Sequence, residues 1–117
     1  MKLSFINESI DITGKLDQLI NKFEKLRTTD SENNLNYKLI IEILEQITTL
    51  EDLKKQIKLM ASNLKDERTE LIKLKSKLDP EANFQKETYN NRYESFKKSM
   101  DIYNSIIEYG KIMKWWN

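Results

Sequence analysis

The sequence predicts an all-α protein, an antiparallel helical hairpin or three-helix bundle built on a long central coiled-coil helix. Three observations point there. From position 36 every seventh residue reads Asn36, Ile43, Leu50, Ile57, Leu64, Leu71, Leu78, and a second series reads Leu39, Gln46, Leu53, Met60, Glu67, Leu74. Alternating spacings of three and four keep one apolar stripe turned toward a neighbouring helix. Backbone breakers are scarce, with Gly14, Gly110 and Pro80 the only glycines and proline among 117 residues. Charged residues make up 33% and hydrophobic ones 38%, a balance typical of long helices with narrow apolar faces.

Residues 1–117 read as a single helical domain, large enough for a modest core. The first helix is expected over about 4–27, where Phe5, Ile12, Leu19 and Leu26 interleave with Ser9, Leu16 and Phe23. Gly14 lies off that stripe and is read as a tolerated helical glycine costing about 1 kcal/mol, with a break there as the alternative. Thr28 to Asn34 is polar and aperiodic, the expected first loop.

The second helix is expected over about 34–78. Thr48-Thr49-Leu50-Glu51 matches a capping box and argues for a new helix start. The heptad phase nevertheless passes from Ile43 through Leu50 to Ile57 with no glycine or proline nearby, which favours one continuous helix. Asp79-Pro80-Glu81 ends it, because proline disfavours helical geometry in the residue before it and lacks an amide donor. A third helix follows over about 80–114, beginning at Pro80 or Asn83. Tyr89, Tyr93, Phe96, Met100, Tyr103 and Ile107 form its stripe, and Ile102 and Ile106 widen it.

The composition excludes several chemistries. There is no histidine and no cysteine, which removes His-based triads, thiolate catalysis, disulfides and the usual zinc motifs. Two glycines cannot build a phosphate-cradling loop. Carboxylates one turn apart, Glu42/Glu45 and Glu67/Glu70, read as solvated helix surface among lysines. No enzyme activity, cofactor or metal is expected. The start, MKLSFINESIDI, is interrupted by Asn7 and Glu8 and falls short of a signal peptide. No apolar run reaches the roughly 18 residues of a membrane span. A soluble, intracellular protein, cytoplasmic or nuclear and not secreted, is therefore expected.

Residues 1–33 carry a net charge of −1, and 34–79 and 80–117 carry +1 each. Bulk charge thus attracts no polyanion. The one basic cluster, Lys65, Arg68, Lys73, Lys75 and Lys77, is spread around its helix and suits the negative end of the helix dipole. It is also the only candidate site for nucleic acid or an anionic surface. Gln46 and Glu67 interrupt the seam and read first as places where it is wet or frayed, with a role in setting register or partner choice as the alternative. At the C-terminus, Met113, Trp115 and Trp116 stand out. Neighbours on a helix project about 100° apart, so two adjacent indoles do not readily enter one core: either one ring closes the end of the bundle with the other lying over it, or the pair forms an exposed aromatic anchor for a partner helix, with an interfacial membrane anchor as a third reading.

The general form, long heptad helices with an aromatic last helix, resembles small helical subunits of kinetochore and vesicle-tethering complexes. It equally resembles small bundle proteins of phages and AT-rich bacteria. No motif selects among them, and no residue role follows. The expected function is that of a non-catalytic scaffold or adaptor subunit acting through coiled-coil contacts with protein partners. Its expected binding residues are Ile43, Leu50, Ile57, Leu64 and Leu71 on the seam and Met113, Trp115 and Trp116 at the terminus. A homodimer through the same contacts is an open alternative.

Overall fold

The computed structural model describes residues 3–117. Among them are four α-helices: α1 (Asp17–Thr29), α2 (Asn34–Glu45), α3 (Leu50–Ser76) and α4 (Asn83–Ile112), with a 3₁₀ turn at Ser31–Asn33. The chain measures 54 × 31 × 20 Å, and its radius of gyration is 16.4 Å. A compact chain of this length has a radius of about 13 Å, so the molecule is elongated.

Two sequence expectations need correction. The first helix does not start near residue 4. Residues 3–16 form an irregular strap, and α1 begins only at Asp17. The reason lies at Asp11 to Gly14. The Asp11 carboxylate accepts the Thr13 amide at 2.8 Å, and Gly14 has a φ of +78°, left-handed backbone that cannot continue a helix. The apolar stripe is still used, because Ile12, Leu16, Leu19 and Phe23 are all buried.

The second correction is the long central helix, which is split between Glu45 and Leu50. Thr49 caps α3, its side-chain oxygen accepting the Asp52 amide at 3.2 Å. The capping box therefore sits one residue later than Thr48 and Glu51 suggest. The unshifted heptad was misleading in a specific way. On α2 the buried residues are Tyr37, Ile40, Ile41, Leu44 and, just beyond it, Ile47; all but Ile41 lie one position after the expected Asn36, Leu39, Ile43 and Gln46. On α3 burial returns to the expected series with Leu50, Leu53 and Ile57. The connection at 46–49 absorbs this one-residue slip.

The strap closes the break. Ile12 donates to the Thr48 carbonyl at 2.8 Å, while Leu50 and Glu51 donate to the carbonyls of Ile10 and Glu8 at 3.0 and 2.7 Å. First-turn amides of a helix have no partner within it, so the strap supplies acceptors to α3 that a continuous helix would have supplied itself. Glu8 also pairs with Lys54.

Paired residues give the packing. Phe23 faces Tyr37 at 6.1 Å between ring centroids, closing α1 and α2 into a hairpin. Tyr109 donates to the Lys15 carbonyl at 2.5 Å and Lys98 pairs with Asp30 at 3.2 Å, so α4 runs antiparallel to α1. Glu67 meets Arg92, while Ile57 and Tyr103 line one cleft, so α3 and α4 are also antiparallel. The core gathers α1, α2, the first half of α3 and the last half of α4. Beyond it, residues 61–76 of α3 and 83–98 of α4 extend as a two-helix arm closed by the turn at Asp79-Pro80-Glu81, the base of its α4 side still touching the α1–α2 turn through Lys98 and through Ser95, which accepts from the Asn36 amide at 3.4 Å. There Glu81 and Ala82 donate to Asp79 at 3.0 and 3.1 Å, and α4 starts at Asn83.

Candidate functional site

The seam residues are already engaged by their own chain. Leu50, Ile57 and Leu71 are buried, and Ile43 and Leu64 are half-buried. Leu50 and Ile57 belong to the core, which leaves no continuous seam for a partner helix.

The C-terminal aromatics are likewise internal. Trp115 and Trp116 are 5% and 2% exposed, and Met113 is half-buried. The expectation of an exposed anchor assumed a helix through residue 114, but α4 ends at Ile112. Lys114 then takes a φ of 60°, Lys114 donates to the Lys111 carbonyl at 3.0 Å, and Trp115 donates to that of Gly110 at 2.9 Å. These two bonds are a Schellman cap, which folds the chain back over its own helix. With the helix ended, the 100° rule no longer separates the two rings. Trp116 lies against Gly110 and Phe5, and its indole N–H donates to the Ile107 carbonyl at 3.1 Å. Trp115 packs edge-on to Tyr109. Burial pushes the Tyr109 phenol above its usual range, reinforced by Asp17.

The basic residues Lys65, Arg68, Lys73, Lys75 and Lys77 are all exposed on the arm. Lys73 sits 3.8 Å from Glu70, one turn away on the same helix. The five do not converge on one point, and Lys73 and Lys75 fall in the last turn of α3, where cations suit the helix dipole. Gln46 is exposed in the α2–α3 connection and is no part of a seam. Glu67 does sit between α3 and α4, where Arg92 contacts both carboxylate oxygens at 2.5 and 3.3 Å. That hydrogen-bonded pairing with Glu67 raises the Arg92 guanidinium above its usual range, with Glu70 adding to it.

What the sequence did not single out is the outer surface of the arm. Leu71 is its one buried residue among the described positions 61–98. Ile72 is 61% exposed, Phe84 80% and Tyr93 40%. Tyr89 and Tyr93 stack at 6.1 Å with an interplanar angle of 11°, and Lys97 lies 5.6 Å over the Tyr93 ring. The signal in the sequence was Ile72 itself, a β-branched apolar residue one place past a seam position, where a solvated helix carries polar groups. Where the arm leaves the core, a cleft of about 400 Å³ opens among Met60, Asn63, Glu67, Arg92, Phe96 and Ser99. Its charged groups are engaged with each other. Among the described residues no three carboxylates group as a metal site would require. Among the described residues, too, no helix is long and apolar enough to cross a membrane.

No family model matches this chain, and neither a curated protein nor a solved structure does.

Proposed function

We propose that this chain is a non-catalytic scaffold or adaptor subunit that joins an assembly through helix–helix contacts made by its α3–α4 arm, a short antiparallel coiled coil. One observation carries the reading: the arm leaves Ile72, Phe84 and Tyr93 exposed while burying Leu71 alone among positions 61–98. Two helices without further cover are marginal, since most helix stability comes from packing an apolar face. A pair of helices with so little buried area gains stability when a further helix covers its exposed apolar side chains. Ile43, Leu50, Ile57 and the Trp pair, first candidates from the sequence, lie in or against the core from which the arm extends, while Leu64 and Leu71 lie in the arm itself.

A photocrosslinking amino acid placed in turn at Ile72, Tyr93 and, as control, Glu42 tests this in cells. Adducts from the two arm positions and none from the control are expected. No adduct from either arm position overturns the interaction role.

The second reading, binding of nucleic acid or an anionic surface by Lys65, Arg68, Lys73, Lys75 and Lys77, is favoured by their exposure. Against it, Glu87 and Glu94 are equally exposed on the other helix of the arm. Affinity for duplex DNA falling steeply with salt is the result that would support it.

A further inference from the structure

The α2–α3 connection is bent in a sequence patterned for a straight helix. Ile43, Leu50 and Ile57 keep an unbroken seven-residue spacing across it, and Gln46-Ile47-Thr48-Thr49 holds no glycine or proline. Among the described residues only Gly14 and Lys114 have a positive φ, so no residue of the connection is locked into a left-handed turn. Gln46 is already in the helical region, at φ −91° and ψ −9°, whereas Thr49 is extended, at φ −124° and ψ 159°.

The hydrogen bonds across the bend are exchangeable one for one. The Leu50, Glu51 and Asp52 amides are taken by the Ile10 carbonyl, the Glu8 carbonyl and the Thr49 hydroxyl. In a helix running through 46–49 the carbonyls of Gln46, Ile47 and Thr48 would take them instead. The strap is therefore a clamp, holding the bend with acceptors that a straight helix supplies for itself. Its other end is pinned by the C-terminal turn, where Ile6 donates to the Trp115 carbonyl at 3.1 Å and Phe5 meets Trp116.

Direction decides what straightening does. α2 returns along α1 and so runs with α4, while α3 runs against it. A straight helix over 34–76, about 65 Å long, would carry α1 and α2 off the start of α3 and away from the core. Tyr37, Ile40, Ile41 and Leu44 would then lose the residues they pack on, and α3 and α4 would lose their cover. A second copy opened in the same way offers each half the surface it has lost.

We infer that two copies of this chain pair by exchanging strap, α1 and α2, each α2 fused to its own α3 through residues 46–49. The fold itself fixes the partner, because the surface on offer is the one that the chain's own α1–α2 hairpin already fits. The core contacts are re-formed between chains, and what is given up is the strap's hold on the bend. Leu39, 50% exposed in the bent chain, then falls in line with Leu50 and Leu53 on one stripe. This exchange is independent of the arm's role, since the arm lies at the opposite end of α3 from the hinge.

The chain has no cysteine, so a pair introduced as Asn36→Cys and Ser95→Cys is the only one present. The native side chains lie 3.4 Å apart in the bent chain, and after exchange the two positions meet across chains. Full-length protein is held concentrated just below its thermal midpoint, cooled, separated by gel filtration and treated with a short bis-maleimide. A dimer of twice 14.0 kDa is expected, its bridge linking two chains, beside a monomer bridged within one. Circular dichroism checks that both fractions are folded.

Two hinge variants set the direction. Thr48→Ala with Thr49→Ala removes the cap and favours helix through the hinge, so the association constant should rise at least about 25-fold, fivefold per hinge. Thr48→Gly keeps the carbonyl that Ile12 uses but disfavours the helix, and should lower it about threefold. A dimer bridged only within its chains has paired through another face and overturns the inference. So does a chain that stays monomeric in both the wild type and the alanine variant, or a dimer yield indifferent to both hinge variants.

Discussion

The indole ring of Trp116 occupies the space that a β-carbon on residue 110 would need, so Gly110 is the position that lets the chain end fold onto α4. This contact joins the C-terminal turn, the strap residue Phe5 and the last turns of α4 into one unit.

Gly110→Ala tests it through the sign of the effect. In an unconstrained helix interior, alanine stabilises by about 1 kcal/mol relative to glycine. Here the methyl displaces a ring at 2% exposure, and overpacking typically costs about 1–3 kcal/mol, with the indole N–H bond also at risk. Urea denaturation should show a net loss of about 2 kcal/mol. A gain would mean that Trp116 does not rest there.

Lys114→Gly acts in the opposite direction. A lysine at φ 60° carries the left-handed penalty that glycine avoids, and the Schellman cap favours glycine at this position. The variant should gain about 0.5–1 kcal/mol, read as a rise in thermal midpoint. An unchanged or lower midpoint would argue against the cap.

Thr49→Ala distinguishes the split helix from a continuous one. As the cap of α3, Thr49 loses a hydrogen bond to the Asp52 amide, for a cost of about 1 kcal/mol. In the middle of an unbroken helix the same change would stabilise, since alanine is the better helix former. Thr48→Ala should cost less, because the Thr48 group that binds the strap is its backbone carbonyl.

The pH profile follows from directions alone. Asp52 is held below its ordinary 3.8 by the side chain of Thr49, Asp30 by Asn33 and then Lys98, and Asp11 by Thr13. Groups with depressed values stabilise fully above 3.8 and lose that contribution as the pH falls through their folded values. Lys98, raised by Asp30, and Tyr109, raised by burial, work at the other end, losing theirs as the pH rises past 10.5 and 10.0. With no histidine or cysteine, the thermal midpoint should be flat through neutrality and fall in acid below 3.8. A transition near neutral pH would contradict this.

Much of the core was legible as apolar positions without their geometry. Ile12, Leu16, Leu19 and Phe23 read as one stripe and are buried, although the first two lie in a strap, because burial depends on spacing that a turn can also satisfy. Leu50 through Leu71 read correctly because α3 keeps its register against α4. The α2–α3 break was hidden because a four-residue connection with a one-residue slip leaves apolar residues near every expected position. The Trp pair misled for the same physical reason as Gly14: one left-handed residue, Lys114 in the first case and Gly14 itself in the second, redirects the chain, and periodicity carries no trace of it.

The central claim is that the arm, where Ile72 and Tyr93 are exposed, meets the partner, and not the aromatic terminus, where Trp115 and Trp116 are buried. Photocrosslinking in cells from Ile72 and Tyr93, set against the same probe at the exposed Asn117 beside the Trp pair, tests it most directly. Adducts from the two arm positions and none from Asn117 are the expected result. Adducts from Asn117 alone, or from none of the three, would contradict it.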